Sequence, residues 1–207
     1  DVAIVHNGII ENHDALRSKL TAAGYVFSSD TDTEVIAHRI HYHRKNSPDL
    51  ETAVRKTVAE LEGAYALVCL TNDTLIGARD PVGIRPLVIG RLDGAYVLAS
   101  ETCALDIIGA EFVREIEPGE MVVISKGQIQ STRPFHPAKP RGCIFEQVYF
   151  SRPDSIIGGR SVYETRRQIG VELAIEAPVD ADLVCPVPDS GTPAAIGYSQ
   201  QSGIPYA

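Results

Sequence analysis

His6-Asn7-Gly8, directly after the apolar run Val2 to Val5, has the residue types needed to hold a developing negative charge. Asn carries a side-chain amide donor, and Gly lets a backbone N–H approach a ligand closely. Two such donors aimed at one point are what an oxyanion hole requires. The same residues also suit a plain turn where a buried strand ends, because Asn-Gly is a common turn pair. Asp32 has two readings as well. In the first turn of a helix it complements the dipole, and facing a cleft it can hold a ligand ammonium. Pro188-Asp189-Ser190-Gly191-Thr192 follows a strand-like run and opens a helical one. Exposed N–H groups of small residues at a helix start suit an anion such as phosphate, and a plain helix cap uses the same residues. The loop has neither the P-loop Lys nor the G-x-G-x-x-G pattern, so it points to neither ATP nor a dinucleotide. His38, His41 and His43 crowd one helix without i, i+4 spacing, among Arg39, Arg44 and Lys45. That pattern fits a solvated basic face better than a metal site.

The elements that must position these groups are legible from periodicity and punctuation. Asn12 is placed to cap a helix over 13–23 that Gly24 ends. Tyr25 to Phe27 reads as a brief strand. Thr31-Asp32-Thr33-Glu34 has capping-box spacing ahead of Val35, Ile36 and Ile40. A third helix begins near Asp49, with Leu50, Ala53, Val54, Thr57, Val58 and Leu61 on one face. After Gly63 come short strand-like runs at 64–70, 74–79, 87–90, 96–99 and 120–125, separated by turn residues. Pro134, Pro137 and Pro140 mark a connector. Beyond it the pattern is a helix over 162–175, a strand over 182–187 and a helix from Thr192 to Gln201. Helices followed by sequential strands imply α+β layering, and the later alternation implies the start of an α/β domain. The division expected is 1–140 and 141–207.

With 44% apolar and 22% charged residues, the 207-residue chain has material for a sizeable core in one or two domains. A net charge of −8 without a basic stripe argues against nucleic acid as a partner. No apolar run approaches the roughly 18 residues that span a bilayer, so no membrane is expected. Cys69, Cys103, Cys143 and Cys185 never pair as C-x-x-C and read as reduced thiols of a cytoplasmic protein. The chain begins at Asp1 without a Met and stops at Ala207, and both ends read as cut.

Taken as a set, 6–13 with 30–38 resembles the glutaminase domain of class II glutamine amidotransferases, which are N-terminal-nucleophile hydrolases. The resemblance implies an αββα sandwich for 1–140, Asn7 and Gly8 as the oxyanion hole, and Asp32 as the group that binds the α-amino group of glutamine. The wording of this first third is closest to the glucosamine-6-phosphate synthase branch. Further on, 80–87 (Asp-Pro-Val-Gly-Ile-Arg-Pro-Leu), 99–104, 117–120, 149–155 and 186–191 resemble the glutamine phosphoribosylpyrophosphate amidotransferase branch. That branch implies the truncated start of a type I phosphoribosyltransferase domain, with Ser190, Gly191 and Thr192 on pyrophosphate.

Ile9-Ile10-Glu11 departs from the Asn-Leu more usual in that branch, which leaves a divergent lineage or a join of two genes between Leu61 and Asp80. The resemblance further implies a Cys nucleophile preceding Asp1, with its own amine as base, and a thioester intermediate. Ammonia then passes inside the protein to displace pyrophosphate from phosphoribosyl pyrophosphate, with Mg2+ on the leaving group. The product is 5-phosphoribosylamine, in purine synthesis. Cys143 matches a position that ligates a 4Fe-4S cluster in some members. A homo-oligomer is also expected, and this fragment alone is expected to be inactive. A hexosamine-forming enzyme and a non-catalytic glutaminase-like relative are the alternatives.

Overall fold

The computed structural model describes residues 2–136 and 138–207, so Asp1 and the connector residue Pro137 lie outside the described residues. The chain divides into two units, Asp1–Ser100 with Gly109–Gly142, and Glu101–Ile108 with Cys143–Ala207. The single cut expected near 140 did not group 101–108 with the later residues.

In the first unit a five-stranded antiparallel sheet has the order β1-β2-β3-β7-β8. Its strands are β1 (Ala3–Ile10), β2 (Gly63–Leu70), β3 (Thr74–Arg79), β7 (Met121–Ser125) and β8 (Gln128–Thr132). A second, three-stranded sheet has β4 (Val88–Leu92) between β5 (Ala95–Ala99) and β6 (Glu111–Glu115). Helices α1 (His13–Ala22), α2 (Asp32–Arg44) and α3 (Leu50–Val58) complete the unit.

Period-two alternation along the central strands serves two cores at once. Tyr65, Leu67, Cys69, Ile76, Ala78 and Met121 pack with Leu16, Leu20, Val35, Ile36, Ile40 and Val54 of the helices. Ala66 and Val122, on the opposite face, pack with Ile89 and Leu98 of the smaller sheet and with Leu87 and Ile116 beside it. At Gly77 a Cβ would lie 2.8 Å from Leu98 Cδ1, so the sheets meet there at glycine contact distance. Each fully buried aliphatic side chain contributes about 1.5–3 kcal/mol, and this two-sided packing fixes the register of β2 and β3.

Several local expectations are corrected. His6-Asn7-Gly8 lies inside β1, paired with β2 from Ala3↔Leu70 to Ile10↔Gly63, so the plain-turn reading is excluded. Asn12 does not cap α1 with its side chain. Its Nδ2 donates to Glu60 O at 2.8 Å and its Oδ1 accepts from Glu62 N at 3.2 Å, tying the end of β1 to the approach to β2. Tyr25 to Phe27 is not a strand. Its rings instead stack edge-on against His38, and Tyr25 Oη lies 2.8 Å from His41 Nδ1. His43 meets Glu60 at 2.9 Å beside Arg39, so the three histidines serve packing and polar contacts rather than a uniformly solvated face.

In the second unit, α5 (Val162–Glu176) packs on α6 (Thr192–Ser202) at glycine contact distance. A Cβ on Gly170 would lie 1.8 Å from Ala194 O, and one on Gly197 would lie 1.9 Å from Arg167 O. The short helix α4 (Thr102–Ile108) and the hairpin β9 (Ile156–Ile157) and β10 (Arg160–Ser161) flank a loop with extensive hydrogen bonding. Glu101 Oε2 accepts from Arg152 N and Ser155 Oγ, and buried Arg166 donates to Gln147 O and Ser151 O. The strand expected over 182–187 reduces to one parallel bridge, Val184 to Tyr206.

Candidate functional site

Asp32 owes its position to the start of α2. Thr31 caps the helix by accepting from Glu34 N. The Glu34 carboxylate reaches past the capping-box position to the hydroxyls and amides of Ser28 and Ser29. Arg17 braces the same loop through Ser29 O and Thr31 O. The Ser29 hydroxyl and then the Ser28 amide hold the Glu34 carboxyl at about 2, well below its usual value of 4.5. A carboxyl lowered on folding stabilises the protein above its unfolded value and loses that contribution as pH falls through the folded one. Resistance of wild-type protein to urea is therefore expected to fall between about pH 4.5 and 2 more steeply than in Glu34→Gln. Equal slopes over that window would remove Glu34 as the brace of this loop.

Asp32 Oδ2 accepts from the Ile10 amide at 2.8 Å, so this N–H points away from β2. Alternation in an antiparallel pair then sends the Gly8 N–H toward the same outer edge. The partner across the sheet agrees: both backbone groups of Tyr65 go to Asp80, which makes Gly8↔Tyr65 a non-hydrogen-bonded pair. Gly8 adopts φ +144° and a Cβ there would lie 2.0 Å from Ala64 O, so only glycine fits so close to β2. Burial lowers the pKa of His6 and outweighs the Asp32 carboxylate 3.9 Å away. The ring is therefore neutral at neutral pH and meets Thr33 Oγ1 at 3.2 Å rather than forming an ion pair.

Asn7 turns to the other face of β1, where it lines a small cavity of about 150 Å³ with Val5, Ala66, Leu87 and Leu98. Its Oδ1 accepts from Arg85 Nη2 at 2.8 Å and Nε at 3.2 Å, across 78 residues of sequence. The loop that carries Arg85 is wired by its own charged pair. Buried Asp80 accepts from the amides of Val82, Gly83 and Ile84. Arg79 donates to the carbonyls of Gly83, Arg85 and Ile116. The structure thus places Asn7 and Gly8 on β1 with Asp32 of α2 against its end, and adds Arg79, Asp80 and Arg85, to which sequence reasoning gave no role. Their signal was present in the 80–87 segment, but only the fold shows what it touches.

A family model described as a glutamine amidotransferase domain matches residues 1–106. The chain belongs to that family. The amidophosphoribosyltransferase of Rhizobium etli is 49% identical over 99% of this chain and 42% of its own length. That of Archaeoglobus fulgidus is 44% identical over 99% of this chain and 45% of its own length. A solved glutamine phosphoribosylpyrophosphate amidotransferase from B. subtilis, complexed with ADP and GMP, superposes with a TM-score of 0.94. It is 44% identical, and the match covers 100% of this chain and 45% of that one. The chain thus spans less than half the length of the relatives it matches, and its fold is theirs. Single relatives run through 61–80 into both flanks, so the two resemblances in the sequence need no join of two genes.

Ser190, Gly191 and Thr192 of this amidotransferase chain sit together at the start of α6. The Gly191 amide donates to Val187 O and the Thr192 amide to Asp189 O, so the turn itself uses both. A Cβ on Gly191 would lie 2.6 Å from Val187 O. Cys143 is half-buried, and among the described residues no group of three His, Cys, Asp or Glu is placed to hold a metal ion. Cys143 thus belongs to no such group among the described residues. Among the described residues, no helix is long and apolar enough to cross a membrane.

Proposed function

We propose that the full protein containing this chain hydrolyses glutamine and transfers the ammonia to phosphoribosyl pyrophosphate, giving 5-phosphoribosylamine. The observation that carries the glutaminase half is the outer edge of β1. There the Gly8 amide faces outward and Asp32 holds the Ile10 amide, while Asn7 is pinned through its Oδ1. A thiol attacking the glutamine carboxamide throws negative charge onto the amide oxygen, and the Gly8 N–H and Asn7 Nδ2 are the donors to receive it. The free oxygen of Asp32 is the acceptor for the α-ammonium. The acceptor half rests on the relatives' names and on the helix start at 190–192, to which we assign the pyrophosphate. A homo-oligomer in the cytoplasm fits the same reading, and the four free cysteines support a reducing compartment.

The test is to supply the full-length protein with glutamine and phosphoribosyl pyrophosphate and to follow glutamate and pyrophosphate together. Equal release of both, each dependent on both substrates, is the expected result. Glutamate release that no phosphoribosyl pyrophosphate stimulates, with a hexose phosphate aminated instead, would move the protein to the hexosamine-forming branch.

A further inference from the structure

The Asn7 side-chain amide can be turned two ways, with either its oxygen or its nitrogen toward Arg85. A guanidinium has five donors and no acceptor, so only the oxygen can face it. Both Nη2 and Nε converge on Oδ1, at 2.8 and 3.2 Å, which fixes the amide plane and sends Nδ2 the opposite way. Besides His6 and Ser100, the lining of the Asn7 cavity is apolar, with Val5, Ala66, Val68, Leu87 and Leu98, and the hydrogen bonds to Asn7 Oδ1 come from Arg85.

Arg85 is itself held from its backbone. Its carbonyl accepts from Arg79 Nε at 2.7 Å, and Arg79 is buried. Asp80 gathers the amides at 82, 83 and 84. Gly83 takes φ +66° where a Cβ would lie 2.6 Å from Pro118 Cγ. A loop with so many of its backbone groups committed presents its last arginine in one place.

We infer that Arg85 is a positioning residue for glutamine hydrolysis: it orients the Asn7 amide so that Nδ2 is preset toward the developing oxyanion. Preset donors cost no reorganisation during reaction, and a freely rotating amide presents its oxygen, the wrong pole, part of the time. The inference rests on the glutaminase function proposed above.

The test is a double-mutant cycle in the full-length protein, reading steady-state glutamine hydrolysis in wild type, Arg85→Ala, Asn7→Ala and the double variant. Arg85→Ala is expected to lower kcat by about 10- to 100-fold, less than outright loss of an oxyanion donor, with KM held within about threefold. On the Asn7→Ala background the same change is expected to cost less than about threefold, because nothing remains to orient. Arg85→Lys recovers part of the rate, since one ammonium reaches Oδ1 without the planar fork. It carries the cycle in place of the alanine variant if thermal melting shows that variant to be unfolded. Equal losses on both backgrounds would overturn the inference, as would a raised KM at constant kcat. A wild-type protein that hydrolyses no glutamine would instead remove the proposed function and this role with it.

Discussion

Asn7→Asp in the full-length protein is expected to lower kcat for glutamine hydrolysis by about 10²–10³-fold with little change in KM, the cost of one oxyanion donor. The substitution is nearly isosteric. It keeps an oxygen on Arg85, where the contact becomes a charge-assisted pair at least as strong as the one it replaces. What disappears is the N–H on the far side of the amide, and a second carboxylate oxygen takes its place. That oxygen carries negative charge toward the point where the tetrahedral intermediate develops its own. The ground-state carboxamide is neutral and feels this less than the transition state, so the loss falls on kcat. Ammonia supplied directly bypasses the step, so ammonia-dependent pyrophosphate release should survive in the same preparation and report that the protein is folded. Glutaminase activity within about threefold of wild type would show that Asn7 is not an oxyanion donor.

How the site was read from sequence, and where that reading stopped, follows from what each residue depends on. Asn7, Gly8 and Asp32 were legible because their types are local chemistry written in a recognisable string. Their placement was not, since the pair Asn-Gly reads as a turn until pairing with β2 is known. Gly8 is glycine because of its φ of +144° and its close approach to Ala64 O, neither of which shows in the string. Strands β2 and β3 announced themselves as near-continuous apolar runs because both faces are buried. The edge strands β6 and β8, with sequences EFVRE and QIQST, are half exposed and polar, so nothing in their composition separates them from loop. The run 182–187 made the opposite error. Its apolar residues have strand propensity, but a strand exists only with a partner, and here only Val184 has one, at Tyr206. Arg85 lies 78 residues from the amide it touches, a distance that no local pattern bridges.

Asp80→Ala is expected to be the most damaging single change to the stability of the first unit, because of what the carboxylate leaves behind. Asp80 is fully buried, and its two oxygens accept from the amides of Val82, Gly83, Ile84 and Tyr65. Tyr65 is itself buried, so removing the carboxylate strands its amide away from water, whereas the buried Gly83 amide keeps a second acceptor in Asp80 O at 3.0 Å. A buried donor left unsatisfied costs about 1–3 kcal/mol and each bond lost at Val82 and Ile84 about 0.5–1.5 kcal/mol, which puts the loss at about 2–6 kcal/mol. Against a typical total of about 5–15 kcal/mol that is a large fraction, and a fall in Tm of about 5–20 °C should accompany it. Asp80→Asn separates hydrogen bonding from packing. It fills the same volume, but its NH2 group confronts amides that are also donors, so it should recover little of the loss. The loop should loosen before the unit melts, because Arg79 would hold the carbonyls of 83 and 85 with no carboxylate gathering the amides between them. Glutaminase kcat is therefore expected to fall in the Asn variant even well below its Tm, through the lost placement of Arg85. A Tm within about 2 °C of wild type for Asp80→Ala would mean that solvent reaches these amides as readily as the carboxylate does, and that the 80–85 loop is not the rigid mount of the Asn7 amide.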